Sequence, residues 1–282
     1  ATPTATRQAP TKAAARLRSA PTNGQMAVFV GDNQVSGAVN ADADGSYTME
    51  IKAGDVLRMG NVEPNGGPVT LTARFVGNDN MADGEGTVTV NITAAAKIER
   101  DKQIIGYVGE SGLDAAFAKN GGNSGATITL LKDVERTEYL SIDINCILDL
   151  GGHTITCTGG TVATYGNTNV TIQGAGEVVS ASGTALDVGG NVTLKGGTFT
   201  SGGLQSASVN VNDGSGSLSV TENVTIQNTG GGYGLAVSNA QSVQLSGGKY
   251  SGTAGAIVIT SQSSSLTLGG LLAHSGDTRY AY

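Results

Sequence analysis

The chain has no tryptophan, two cysteines and five prolines in 282 residues, and only 14% of it is Asp, Glu, Lys or Arg. Each shortage excludes something. Two cysteines cannot build the disulfide framework of a small secreted scaffold. No apolar run approaches the ~20 residues that cross a bilayer as a helix, so membrane insertion is not expected. Without tryptophan, an aromatic binding platform falls to tyrosine, with Tyr165, Tyr233, Tyr250, Tyr280 and Tyr282 as candidates. Low charge does not mean disorder here, because the 38% hydrophobic content is enough to fill cores.

Glycine takes up much of the difference: 44 residues, roughly 16% of the chain against a usual ~7%. That excess predicts many tight turns. The net charge is −7, yet the first 31 residues carry Arg7, Lys12, Arg16 and Arg18 and no acid, leaving 12 basic against 23 acidic residues beyond them. So acidic a body repels phosphate backbones, and nucleic acid is not an expected partner. No signal peptide of the basic, apolar, small-residue form is present. The chain therefore reads as a mature form or as a fragment of a longer protein.

Residues 1–24, rich in Ala, Thr and Pro, read as a flexible tether. From 25 to 95 come short alternating runs (MAVFVG, QVSGAV, YTMEI, DVLRM, PVTLTARFV, GTVTVNIT) parted by Asn/Asp/Gly turns. Period-two runs with such turns predict strands and hairpins, and about seventy residues of them a small β-sandwich. Within it, Asn40, Asp42, Asp44 and Gly45 stand at positions 1, 3, 5 and 6 of a calcium-type loop. Position 12, which must supply a bidentate Glu, is Ile51, with Glu50 one place short. A tight turn is the better reading. Lys52 and Asn91 read as surface residues. SGLDAAFAKNGG (111–122) is the clearest helical stretch, with Ser111 as N-cap, Leu113, Ala116 and Phe117 on one face, and the Gly pair as its end.

A tetrad then recurs: TITL at 127, NCIL at 145, NVTI at 169, NVTL at 191, NVTI at 223, SVQL at 242 and SLTL at 265, at spacings from 18 to 32 residues. A strand turns successive side chains to opposite faces, so the second and fourth members of each tetrad share one face. All of these are aliphatic except Cys146, while the opposite face is mostly Thr. A second strand lies between copies: ALDV at 185, SVNV at 208, LAV at 235 and IVI at 257. Units of ~23 residues are too short for a strand–helix–strand crossover, so each is a coil of two or three strands stacked in parallel on the next. Asn145, Asn169, Asn191 and Asn223, at the first tetrad position, are placed to form a side-chain amide ladder.

Two resemblances follow from these residues. PVTLTARFVGNDNMADGEGTVTVNI is similar to the last two strands of bacterial Ig-like modules, and ATITLLKDV followed by ILDLGGHTI resembles the opening coils of pectate-lyase-like right-handed parallel β-helices, especially those in surface proteins of Gram-positive bacteria. The fold expected is all-β. A small Ig-like sandwich over 25–95 precedes a right-handed parallel β-helix of about seven coils over 96–282, whose open end is capped by a short helix near 111–119. The β-helix family implies either polysaccharide lyases and hydrolases or adhesins without catalysis, and fold alone does not choose.

The columns favour the second. A catalytic carboxylate pair needs acids within ~5–10 Å on one face. The fifth tetrad position reads Asp149, Gln173, Lys195, Gln227, Ser246, and the outward position of the second strand reads Asp187, Asn210, Ala236, Val258; neither stacks two acids. Asp143 and Asp149 lie roughly 20 Å apart in extended chain. In LSIDINCILDLGGHTITC (140–157), Cys146 takes a core position, Ile155 and Cys157 share inward parity, and His153 sits in the turn, so the cysteines read as structural thiols. No catalytic, cofactor or metal residues are assigned. NDGSGS (212–217) is expected to protrude as a loop. The expectation is a monomeric, non-catalytic surface or adhesin-like module of a Gram-positive bacterium, secreted or on the cell surface, meeting a glycan or matrix protein. The alternative is a lyase or hydrolase of acidic glycans.

Overall fold

The computed structural model describes residues 24–43, 46–76, 84–221 and 223–260, with the backbone of strands 265–268 and 273–274. Residues 1–23 of the expected tether, Asp44, Gly45, Tyr280 and Tyr282 lie outside the described residues. The chain divides into two compact units, Ala1–Thr93 and Ala94–Tyr282.

The first unit holds strands β1 (Gln25–Val30), β2 (Asn33–Gln34), β3 (Val39–Asn40), β4 (Pro68–Val76) and β5 (Gly84–Asn91) in one antiparallel sheet of order β2-β1-β4-β5, with β3 also on β1. Two of the expected strands differ. DVLRM belongs to helix α1 (Ala53–Met59), because the adjacent Val56 and Leu57 are both buried, which a strand with opposed faces cannot arrange. YTMEI joins no ladder, yet its alternation survives: Tyr47 is buried and Thr48 and Glu50 are exposed. Tyr47, Met49 and Ile51 line an apolar cleft of about 320 Å³ with Met26, Val28 and Leu71 of the sheet. Tyr47 meets Phe75 in a tilted ring pair, centroids 6.3 Å apart.

The second unit is a parallel β-solenoid of the right-handed type with about six turns. Its first sheet stacks Thr127–Leu130, Cys146–Asp149, Asn169–Gln173, Asn191–Leu194, Ser217–Val220, Ser242–Leu245 and Ser265–Leu268. The second begins with Val134–Arg136 and His153–Cys157 and continues through Gly176–Ser180, Gly197–Ser201, Val224–Asn228 and Lys249–Gly252 to Ala273–His274. The third runs from Leu140–Ile142 through Val162–Thr164, Leu186–Val188, Val209–Val211 and Tyr233–Val237 to Gly255–Ile259.

The repeat is more even than the tetrads suggested. Ser217–Val220 holds the fifth place in the first sheet, pairing Asn191 with Ser217 and Ser217 with Ser242. The NVTI string at 223 instead enters the second sheet beside Gly197–Ser201. Both columns demand the same alternation, so pattern alone could not separate them. Packing does: this register buries Leu218, Val220, Val224 and Ile226 together. At the start, Thr127 pairs with Ile147, two residues beyond the expected tetrad alignment, and a two-residue shift keeps every side chain on its face.

The N-terminal end of the first sheet is closed by a hairpin, β6 (Ala96–Arg100) and β7 (Gln103–Val108), with β6 antiparallel to Thr127–Leu130. Next comes helix α2 (Leu113–Phe117), whose Leu113, Ala116 and Phe117 enter the solenoid core as expected. The N-cap is Gly112, preceded by a 3₁₀ turn over Glu110–Gly112, so Ser111 does not cap it. Asp114 holds α2 to the second sheet, its two carboxylate oxygens lying 2.5 and 2.7 Å from Arg136.

Candidate functional site

The solenoid has three outer sheet faces. On the first sheet the amide ladder forms over Asn145, Asn169 and Asn191: Asn145 Oδ1 accepts from Asn169 N at 2.8 Å, and Asn169 Oδ1 accepts from Asn191 Nδ2 at 3.3 Å. Asn223 is not part of it; Ser217 and Ser242 continue the column, their hydroxyls 3.2 Å apart. Further along each rung, Gln173 Nε2 donates to Asp149 Oδ2 at 2.9 Å.

The second sheet carries the most regular face. Its outward positions include Thr154, Thr156, Thr198, Thr200, Thr225 and Gln227, in register from rung to rung. Thr200 donates to Glu177, and Gln227 Nε2 donates to Thr200 Oγ1 at 3.1 Å. These residues escaped the sequence reading because the strand after each Gly pair was not aligned; the recurring GEVVS and GTFTS were the available signal. Glu135 and Glu177 share this face, but Glu135 aligns with Thr156 and Glu177 with Thr154 on the far side of that strand. Two rungs and one pleat place them roughly 12 Å apart.

Inside the same sheet runs a buried polar column of Cys157, Ser180, Ser201 and Asn228. Asn228 Nδ2 donates to Gly203 O and Ser206 O, and its Oδ1 accepts from Gly230 N and Gly232 N. The column ties down the bends that lead into the third sheet.

The cysteines are free and buried. Cys146 pairs with Val170 in the first sheet, whereas Cys157 lies in the second between Arg136 and Ser180. Burial pushes the Cys146 thiol up to about 12 and that of Cys157 to about 11, the latter opposed by the Arg136 charge. Neither is an available nucleophile or metal thiolate at neutral pH. His153 Nδ1 sits 3.4 Å from Asp133 Oδ1 at the start of its strand. Among the described residues, no three His, Cys, Asp or Glu side chains converge to hold a metal ion. In the first unit, Asn40 Oδ1 accepts from Gln25 Nε2, and Asp42 N donates to Ser46 O. Lys52 and Asn91 are exposed.

On the third sheet the outward column aligns Asp187, Asn210, Ala236 and Val258, with the buried Ala163 beside Asp187 in the same register, and Asn210 Nδ2 donates to Asp187 Oδ1 at 3.1 Å. Desolvation raises the Asp187 carboxyl above its ordinary range, partly offset by Asn210. Tyr250 points inward, its hydroxyl donating to Gly247 O, and burial raises that group too. Tyr165 is 46% exposed at a corner of this sheet. NDGSGS is an exposed turn over 212–215 between Val209–Val211 and Ser217–Val220, in which Asp213 Oδ1 accepts from Ser215 N and Oγ. Those bonds hold the Asp213 carboxyl below its usual range.

No family model, curated protein or solved structure matches this chain.

Proposed function

We propose that this chain is a non-catalytic module of a bacterial cell surface, secreted or displayed, that presents a rigid solenoid face to a glycan or matrix protein. The observation that carries the reading is the outer face of the second sheet: ranks of Thr, Glu and Gln side chains, held in register by a parallel ladder and bonded to each other through Glu177, Thr200 and Gln227. Hydroxyls and amides fixed on a flat sheet meet sugar hydroxyls or an extended backbone without an ordering cost at binding. The solenoid is taken to be a pectate-lyase-like right-handed β-helix and the first unit an Ig-like module, in which the 47–51 segment serves as the second layer over the sheet.

A polysaccharide lyase or hydrolase is the competing reading. The roughly 12 Å between Glu135 and Glu177 exceeds what a carboxylate pair spans across a glycosidic bond. Incubation with polygalacturonate and calcium, followed by the absorbance of unsaturated product, should show no turnover. Sustained turnover lost on substituting one surface acid would overturn the non-catalytic reading. Glycan and matrix-protein arrays then separate a binding module from a mere spacer, which would capture nothing.

A further inference from the structure

Strand β5 ends the sheet of the first unit, and among the described residues nothing pairs with its outer edge. Natural sheets guard such edges by keeping them short, by bulges, or with Lys and Pro. The opposite side of this sheet is guarded, since β2 and β3 have two residues each. At the end of the solenoid, β7 pairs with β6 through a register shift between Ile98 and Glu99. None of these devices protects β5. It matches β4 over consecutive pairs without a shift, from Pro68 with Asn91 to Phe75 with Gly84, and GEGTVTVN holds no Lys, Arg or Pro. Its lone charge, Glu85, lies 3.8 Å from Arg74 on the neighbouring strand.

The strand is also apolar where a guarded edge is polar. Val88 is 43% exposed, and its register with Leu71 puts it on the sheet face that lines the apolar cleft, together with Met49 and Ile51. Gly86 and Val90 share that face, while Glu85, Thr87, Thr89 and Asn91 take the other.

A second copy of the same strand complements this edge. Set antiparallel about a two-fold axis at Val88, two such strands place Val88 opposite Val88, Thr87 opposite Thr89, Gly86 opposite Val90 and Glu85 opposite Asn91. No like charges meet, and each Glu85 faces an amide. The two exposed Val88 side chains cover each other on the cleft face, and the threonines align across the seam on the other.

We infer that β5 is a self-association edge, through which two copies of this chain join their first-unit sheets into one. A seam of 8 residues a side is far smaller than the roughly 20–30 of a standard interface, so the dimer is weak and forms where chains are crowded. The pairing does not depend on what the solenoid binds.

Sedimentation velocity of the full chain from about 5 to 500 μM tests it, in ~0.15 M salt so that charge on the two copies is screened beyond ~8 Å. The average mass should rise from one chain toward two with concentration. Val88→Lys and Val88→Glu each oppose a like charge at the axis and should weaken association about tenfold or more, and an equimolar mixture of the two should associate again. Leu204→Lys, on the solenoid, should change nothing. Thr87→Lys combined with Thr89→Lys, which opposes lysines on the face away from the cleft, should abolish association as well. Both native cysteines are buried, so Val88→Cys supplies the one exposed thiol. On mild oxidation it should crosslink two chains, whereas Glu85→Cys, roughly 20 Å from its counterpart in this register, should not. A single chain at every concentration, association that survives in the folded charge variants or in the double lysine variant, or equal crosslinking at both cysteine positions overturns the inference.

Discussion

Cys146 and Cys157 illustrate how a residue's column decides its chemistry. Both are inward members of their strands, and their thiols titrate at about 12 and about 11 against an ordinary 9.0. The native thiols should therefore react with a disulfide reagent at pH 8 roughly a hundredfold more slowly than in denaturant. Prompt native reaction of both would contradict the assignment. The sign of the pH effect follows: between 9.0 and about 11 the folded chain holds protons that the unfolded chain has lost. Stability from this source is complete below pH 9 and falls as pH rises through that window. Asp187 has the same sign of shift, so Asp187→Asn should leave the urea midpoint unchanged or higher at pH 7, and a clear drop would show the carboxylate to be structural. Asn228 is the opposite case. Asn228→Ala strands four backbone groups in the bend, and an equilibrium urea titration should report a loss of about 3 kcal/mol; a loss under about 1 kcal/mol would mean that water replaces the amide.

At the scale of the element, α2 is a lid of five residues whose worth lies in what it buries. Phe117 is fully enclosed at the end of the core, and Phe117→Ala should cost about 3–5 kcal/mol by the same titration. The inward face of this helix was legible in Leu113, Ala116 and Phe117, because three buried positions within five residues match a helical turn. Its cap was not, because Gly112 caps through backbone shape after a 3₁₀ turn that Ser111 does not announce. α1 was misread for a related reason: DVLRM is as short as a strand, and only the burial of adjacent Val56 and Leu57 decides. The register of 217–228 was hidden differently, since SLSV and NVTI obey one alternation and two columns could take either. Hydrogen exchange tests the outcome: the amides of Ser217–Val220 should be as protected as those of Asn191–Leu194, and exchange at loop rates would contradict this register.

Across the whole molecule, the repeat made the solenoid legible because every rung restates one demand, apolar inward and small polar outward. The candidate sites were less so. The Glu177–Thr200–Gln227 contacts join residues from adjacent rungs about two dozen positions apart, and their meeting depends on a register that the sequence left ambiguous by a turn. The separation of acids along the columns was readable, and it carries the central claim that the outer faces hold a partner without cleaving it. Glycan and matrix-protein arrays probed with the full chain, with every captured glycan then analysed for cleavage, test that claim most directly. The account predicts capture of a glycan or matrix protein that is recovered intact; capture of nothing, or release of cleaved product, would contradict it.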